Sequence, residues 1–151
     1  MKKYIVFLGL ISTLVSCQDD FCVDETTPNF IIRFYDKDST VDVSKNINLI
    51  VNVADLDSLF EGTSIDSIYL PVDTTDTIVT YNFSILDSLN SEETLTINYE
   101  VEDVYVSKAC GFKSIFNNVS LTVSQNNWID SIVQVQSEII NDTQAHVKIY
   151  H

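Results

Sequence analysis

Hydrophobic and polar residues alternate along most of the chain after residue 29, and this period of two predicts half-buried β-strands. The clearest cases are Val79–Ile85 and Leu95–Val101, where every second residue is aliphatic or aromatic. The same alternation occurs at Phe30–Phe34, Ile47–Val53, Val119–Val123 and Ala145–Ile149, with shorter candidates at Ile68–Leu70, Val104–Val106 and Val133–Val135. No stretch keeps helical spacing over three turns, and the abundance of β-branched and aromatic residues favours sheet.

The reversals between these strands are expected to use Asp, Asn and Ser, because the chain has only 3 glycines and 2 prolines. Examples are Asp36–Ser39, Asp87–Asn90 and Gln125–Asn127. About seven to nine short strands joined by polar turns predict an all-β fold, a single antiparallel β-sandwich of the immunoglobulin-like kind. A small β-barrel is the alternative, since alternation does not distinguish a closed sheet from two packed sheets.

The N-terminal segment has a different pattern. Lys2 and Lys3 precede an uncharged run of about thirteen residues, whereas a transmembrane helix needs about twenty. A basic start, an apolar middle and small residues at the end are typical of a secretory leader. The run ends in Leu14-Val15-Ser16-Cys17, which resembles a bacterial lipobox. That resemblance implies a signal peptide at residues 1–16, a diacylglycerol on the Cys17 thiol and a fatty acyl group, such as palmitate, on the new N-terminus.

The residues directly after Cys17 indicate where in the cell the protein is located. Gln18-Asp19-Asp20-Phe21 is similar to the acidic export tags of surface-exposed lipoproteins in Bacteroidetes-type bacteria. We therefore expect an outer-membrane protein that is held by its lipid and displayed on the cell surface. A domain that faces the periplasm is the alternative location, and an ordinary solvated tether is the alternative interpretation of the acidic residues. Residues 17–28 are interpreted as this tether, and residues 29–151 as one domain long enough for a single hydrophobic core.

Charge narrows the possible partners. The formal net charge is −14, and loss of Lys2 and Lys3 with the leader takes it to about −16. Such a surface repels nucleic acid and anionic lipid headgroups. The expected partners are the membrane, through the lipid anchor, and other envelope proteins, but no nucleic acid. The sequence does not indicate an oligomeric state.

With Cys17 assigned to the lipid, Cys22 and Cys110 form an even pair in an exported, oxidising setting. A disulfide between them would close a loop of about 88 residues, worth roughly 4.5 kcal/mol in the chain-entropy description. A reactive thiol or a metal ligand is the alternative for either cysteine.

Five segments together resemble an uncharacterised family of Bacteroidetes-type outer-membrane lipoproteins. They are Cys22 with Thr26-Thr27-Pro28, Phe30–Asp36, Asp66–Pro71, Val106–Phe112 and Ala145–His151. The resemblance covers nearly the whole chain after the leader. It implies a lipoprotein with a compact β domain and supplies no catalytic residue.

Motifs for catalysis or cofactor binding are missing from the sequence: there is no nucleophile elbow, HExxH, P-loop or glycine-rich dinucleotide turn. We therefore expect a non-enzymatic protein without a cofactor. His146 is predicted to share the exposed face of Lys148 and Tyr150, facing solvent or a partner; the other histidine is His151.

Acidic clusters raise calcium as a candidate ligand, although none has EF-hand spacing, so no metal site is assigned. The clusters are Asp36/Asp38, Asp55/Asp57, Asp73/Asp76 and Glu100/Glu102/Asp103. Solvated loops are the simpler interpretation.

One three-residue pattern recurs: Asp, then Ser or Thr, then an apolar residue or threonine. It places candidate O-glycosylation sites at Ser39, Ser58, Ser67, Thr74, Thr77, Ser88 and Ser131, since it is similar to the motif that Bacteroidetes-type bacteria modify on exported proteins. The alternative is mechanical: Asp begins a turn, the hydroxyl residue completes it and the apolar residue opens the next strand.

Aromatic residues carry the binding hypotheses. Trp128, Tyr69 and Tyr105 are candidate ligand contacts, because aromatic rings beside amides suit a sugar or a peptide; Tyr35 and Tyr150 could extend such a surface. Core packing is the alternative for Trp128. The first functional hypothesis is a non-enzymatic envelope lipoprotein acting in protein interaction or assembly, the second is a glycan- or peptide-binding surface module, and a hydrolase is a distant third.

Overall fold

The computed structural model describes residues 21–22, 26–53, 58–123 and 127–151. The lipobox, Cys17 and the acidic residues directly after it lie outside the described residues. The described part contains nine strands and no helix, which confirms the all-β prediction. The strands are β1 Phe30–Tyr35, β2 Ile47–Val53, β3 Phe60–Ile65, β4 Ser67–Leu70, β5 Ile78–Ile85, β6 Glu93–Ser107, β7 Gly111–Val123, β8 Ser131–Gln134 and β9 Val147–Tyr150.

These strands form two sheets. Four strands pair in the order β4-β1-β9-β8, and five pair in the order β3-β2-β5-β6-β7, one sheet curling like half a barrel. The pairing departs from the wholly antiparallel prediction at one place, because β1 and β9 run parallel. Parallel neighbours need a long connection, and here nearly the whole domain supplies it.

The hydrophobic core lies between the sheets and follows the predicted alternation. Phe30, Ile32 and Phe34 point inward from β1 and are fully buried, as are Tyr81 on β5 and Leu95 on β6. The outward residues of the same strands are therefore fixed on the opposite face, since successive side chains alternate.

The β6–β7 hairpin is longer than the sequence predicted, because the segment Val104–Val106 continues β6 and does not form a separate strand. The pairing shifts register between Asn98 and Glu100, and Asn118, nearly opposite, has a φ of 53°. A bulge of this kind bends and twists a ribbon without ending it.

Turn chemistry follows the prediction that Asp and Asn make the reversals. Asp87 and Asn90, between β5 and β6, have φ values of 61° and 58°, a left-handed conformation that Asp and Asn tolerate better than most residues. The sequence missed β3, since Gly62 is a poor strand former and the segment has no regular alternation of apolar and polar residues.

Candidate binding cleft

The outer face of the four-stranded sheet brings together positive and aromatic side chains from distant parts of the chain. On β1, Arg33 alternates with the inward Ile32 and Phe34 and is exposed. Its Cα partners are Ser67 on β4 and Lys148 on β9. Arg33 and Lys148 are thus side by side on neighbouring strands.

These two cations line a cleft of about 310 Å³ on this outer face. We call it the Arg33 cleft; its lining residues are Arg33, Tyr35, Val135, Thr143, Gln144, Ala145 and Lys148. The strands provide its floor, and the segment before β9 provides a wall with a hydroxyl and an amide. The volume is at the lower end of the range of small-molecule sites, about 300–1,000 Å³.

Lys148 is held by a polar network beside the cleft. Its ammonium group pairs with Asp42 Oδ2, and the Tyr150 hydroxyl donates to Asp42 Oδ1 at 2.7 Å. The hydrogen bond from Lys148 lowers the pKa of Asp42, and the same bond raises the pKa of Lys148. The Lys148 nitrogen also lies 5.6 Å from the centre of the Tyr35 ring, within cation–π range. Lys148 is therefore neutralised and fixed in place.

Arg33 differs from Lys148 in its partners. Within the described ranges, no carboxylate lies within ion-pair distance of Arg33. Because Asp42 neutralises Lys148, Arg33 supplies the uncompensated positive charge of the cleft. A guanidinium group presents a planar fork of donors that matches a carboxylate or phosphate with two hydrogen bonds.

The three aromatic residues that the sequence proposed as ligand contacts do not form one site. Trp128 packs against the core, with its ring centre 6.4 Å from that of Phe34. Tyr69 is exposed on β4, on the same outer face as Arg33 but at the sheet edge. Tyr105 is exposed near the far end of the β6–β7 hairpin. The core interpretation of Trp128 therefore agrees with its position.

Cys22 and Cys110 form a disulfide, with their Cα atoms 4.8 Å apart. This agrees with the predicted pairing. Cys110 lies in the turn between β6 and β7, so the bond joins the N-terminal segment to the end of that hairpin. The Ser114 backbone N–H donates to the Thr27 hydroxyl at 3.1 Å, which holds the same segment further along β7.

The prediction for His146 is wrong. The residue is 1% exposed, its ring stacks on Phe30, and its Nδ1 accepts a hydrogen bond from the Ile31 backbone N–H at 3.0 Å. Strand β9 starts only at Val147, so the alternation used for the prediction does not extend to His146. Burial lowers the pKa of His146. His151 is also partly buried, against the rings of Phe34 and Trp128.

The candidate glycosylation residues occupy two kinds of position. Asp66-Ser67-Ile68 and Asp130-Ser131-Ile132 fit the mechanical interpretation, because β4 and β8 begin at their serines. Asp87-Ser88-Leu89 does not fit it, since Leu89 is 92% exposed in a turn. Ser58, Thr74 and Thr77 are exposed in loops, and Ser39 is half-buried.

Hydrogen bonds within the protein occupy several of the acidic clusters. Asp73 accepts from the Thr75 backbone and hydroxyl, and Glu100 accepts from Asn118. Asp55 and Asp57 lie outside the described residues. Within the described ranges, no group of three or more His, Cys, Asp or Glu side chains is arranged to hold a metal ion.

A second cleft, of about 380 Å³, is more apolar and is lined by residues from Val53 to Thr80 that include Leu59, Ile78, Asp73 and Asp76. Its two carboxylates accept hydrogen bonds from within their own turn. These hydrogen bonds stabilise the turn that carries the two carboxylates.

Sequence reasoning named Tyr35 as a possible ligand contact but missed the two cations of the Arg33 cleft, Arg33 and Lys148. One signal was present: Arg33 is the single arginine of an acidic chain and occupies an outward position of a predicted strand. Its proximity to Lys148 could not be inferred, because the two residues are far apart in sequence and meet only through the β1–β9 pairing.

One family model matches residues 46–151 of the chain, and it is described as a family of unknown function (DUF6452). No curated protein and no solved structure matches the chain. Among the described residues, none belongs to a helix long and apolar enough to cross a membrane.

Proposed function

The chain belongs to this family of unknown function, and from that premise we propose a non-enzymatic lipoprotein of the cell envelope that binds another envelope protein through the Arg33 cleft. Its anchor is the lipid on Cys17, and its place is the outer membrane, with the domain on the cell surface. The partner presents an acidic segment to the cleft.

The anchor is supported by the leader-like N-terminus and by the lipobox residues up to Cys17. A disulfide only five positions later fits an oxidising compartment outside the cytoplasm. Several acyl chains would hold the protein stably, since each buried methylene contributes about 0.8 kcal/mol.

The binding proposal depends on Arg33, which lies beside Lys148 and has no ion-pair partner in the part of the chain that the structure describes. The chain as a whole has a net charge of −14. Most of the surface of such a protein repels anions, whereas this cleft attracts them. A carboxylate of the partner would accept two hydrogen bonds from Arg33. The edge strand β4, with Tyr69 on the same face, offers further contact area.

The non-enzymatic part of the proposal is supported by the roles of the histidines. The Nδ1 atom of His146 accepts a backbone hydrogen bond, and its ring is buried against Phe30, so it is not placed to act as a general base. The His151 ring lies against Phe34 and Trp128.

A second candidate is binding of an acidic glycan in the same cleft. The observation that favours it is the wall formed by Thr143 and Gln144, whose hydroxyl and amide groups suit sugar hydroxyls. The volume of about 310 Å³ fits one or two sugar units.

Affinity capture from native envelopes, followed by mass spectrometry of proteins and glycans, tests both candidates. We expect Arg33→Glu to lose the captured partner, because it places a carboxylate where the partner's carboxylate binds. Lys37→Glu makes the same charge change at an exposed position outside the cleft and serves as the matched control. Equal recovery of the same partner by both variants would refute the cleft, and recovery of acidic glycans alone would favour the second candidate.

The anchor is tested separately. Mass spectrometry of the native protein should find an N-terminal peptide that begins at diacylated and N-acylated Cys17. An unmodified Cys17 in the native protein would refute the lipoprotein part of the proposal. The intact mass also decides the glycosylation question, since a value equal to that of the bare lipidated chain excludes sugars on Ser88 and the other candidates.

A further inference from the structure

The far end of the β6–β7 hairpin exposes a group of aromatic side chains. Of the four large aromatic side chains exposed in the described part of the chain, three lie at this end. Phe21, Tyr105 and Phe112 are 85%, 59% and 69% exposed. We call these three residues, with Lys108 in the turn, the hairpin tip.

Strand pairing and the disulfide bring the residues of the hairpin tip together. Tyr105 and Phe112 are direct partners in the β6–β7 ladder, and their rings meet edge to face with centres 5.4 Å apart. Phe21 is joined to the same place, because it precedes Cys22, which is bonded to Cys110 in the turn. Clustered apolar surface of this kind marks an interaction site more often than scattered exposed residues do.

We propose that the hairpin tip rests in the interfacial region of the lipid bilayer and orients the domain on the membrane. The inference rests on the proposed lipid anchor at Cys17. Only five positions separate Cys17 from Cys22, and an extended chain of that length spans at most about 18 Å. The disulfide therefore keeps the tip close to the acyl chains in every arrangement of the intervening residues.

The chemistry of the tip suits this location. Aromatic rings are enriched at the level of the lipid headgroups, where part of the ring is apolar and part meets water. Tyr105 has a hydroxyl for the headgroups, and Phe112 has an apolar ring that can lie deeper. Lys108 places a positive charge at the turn of an otherwise acidic chain, where a lipid phosphate can meet it. Anionic headgroups repel the remaining surface of the domain, which is acidic. The domain is therefore oriented with the hairpin tip toward the bilayer.

The structure also provides a control position at the opposite end of the molecule. Leu89 is 92% exposed in the turn that precedes β6, whereas the tip follows β6. The 15 residues of β6 separate the two turns by up to roughly 45 Å. A probe at Leu89 should therefore not sense the bilayer if the tip contacts it.

The test uses the full-length lipidated protein in phosphatidylcholine vesicles, in which part of the lipid carries bromine on its acyl chains as a short-range quencher of tryptophan fluorescence. The variants are Phe112→Trp, Phe21→Trp as a second reporter across the disulfide, and Leu89→Trp as the control. The signal of the native protein, from Trp128, is subtracted from each. We expect quenching at Phe112→Trp and Phe21→Trp to be at least twofold stronger than at Leu89→Trp.

Flotation with the vesicles separates the possible failures. If the protein floats but the tip reporters are quenched no more than the control, the tip does not contact the bilayer, although the anchor holds. If the tip reporters are unquenched and chemical cross-linking joins two tips, the tip is occupied by a second copy and the inference is wrong. If the protein does not float, the anchor itself fails and the inference fails with it.

Discussion

Replacement of Glu93 by alanine should strongly destabilise the fold. Glu93 begins β6 and is 1% exposed. Its Oε1 accepts hydrogen bonds from three consecutive backbone N–H groups: those of Asn127, Trp128 at 3.0 Å and Ile129 at 3.4 Å. The Glu93 side chain thus holds the loop before β8 against the five-stranded sheet. Trp128 belongs to this loop, and its ring packs against the core.

The magnitude follows from what the three donors lose. Asn127 is exposed, so water can replace the carboxylate at its N–H, whereas Ile129 is buried and Trp128 half-buried. Each buried donor left without an acceptor costs about 1–3 kcal/mol. Removal of a buried charge gives some of this back, since Glu93 Oε2 has no hydrogen-bond partner among the described residues. We expect a net loss of about 2–4 kcal/mol for Glu93→Ala.

Urea denaturation of the oxidised protein measures this loss, with fluorescence of Trp128, the single tryptophan, and circular dichroism as probes. Glu93→Gln keeps an acceptor without the charge and should lose about half as much. Glu92→Ala is the matched control, because Glu92 is exposed one position earlier and should change stability by less than about 0.5 kcal/mol. A loss for Glu93→Ala within experimental error of that for Glu92→Ala would refute the role of Glu93 as the anchor of this loop.

Three further predictions concern stability. Replacement of both Cys22 and Cys110 by serine should lower the free energy of unfolding by up to about 4.5 kcal/mol, given their separation of 88 residues, and a midpoint in urea equal to that of the native protein would contradict this. Burial lowers the pKa of His146 below 6.5, so its contribution to stability is present above pH 6.5 and is lost as the pH falls from there through the folded-state pKa. His146→Gln should therefore flatten the fall of stability with acid, and an unchanged pH profile would exclude His146 as its source. Tyr81→Phe should cost about 1 kcal/mol, because the Tyr81 hydroxyl donates to the Pro71 carbonyl at 2.6 Å inside the fold; a thermal midpoint identical to that of the native protein would contradict this.

The sequence was a good guide to the strands because alternation is a local property. Each residue of a strand points to the side opposite its neighbour, whatever the strand pairs with. The inward residues of β1, β5 and β6 could therefore be identified without the structure. The limit of local reasoning is visible at β3, where short polar residues form a strand because β2 supplies an antiparallel partner.

His146 illustrates the same limit at the start of a strand. The predicted strand began at Ala145, whereas β9 begins at Val147, so the alternation does not apply to His146. The His146 ring instead accepts the hydrogen bond of the Ile31 backbone N–H. Nothing in the residues next to His146 indicates that β1 will lie beside it.

What the sequence determined by itself was the all-β class and most of the strand segments, since these follow from periodicity. The sequence also predicted the pairing of Cys22 with Cys110, on the expectation that Cys17 carries a lipid. What only the tertiary structure decided was which side chains meet. Arg33 lies beside Lys148 because the first and last strands pair in parallel, and Glu93 reaches the loop at Trp128 because two sheets close over one core. Such neighbours depend on strand order and register, which are set by the packing of the whole chain and not by any segment of it.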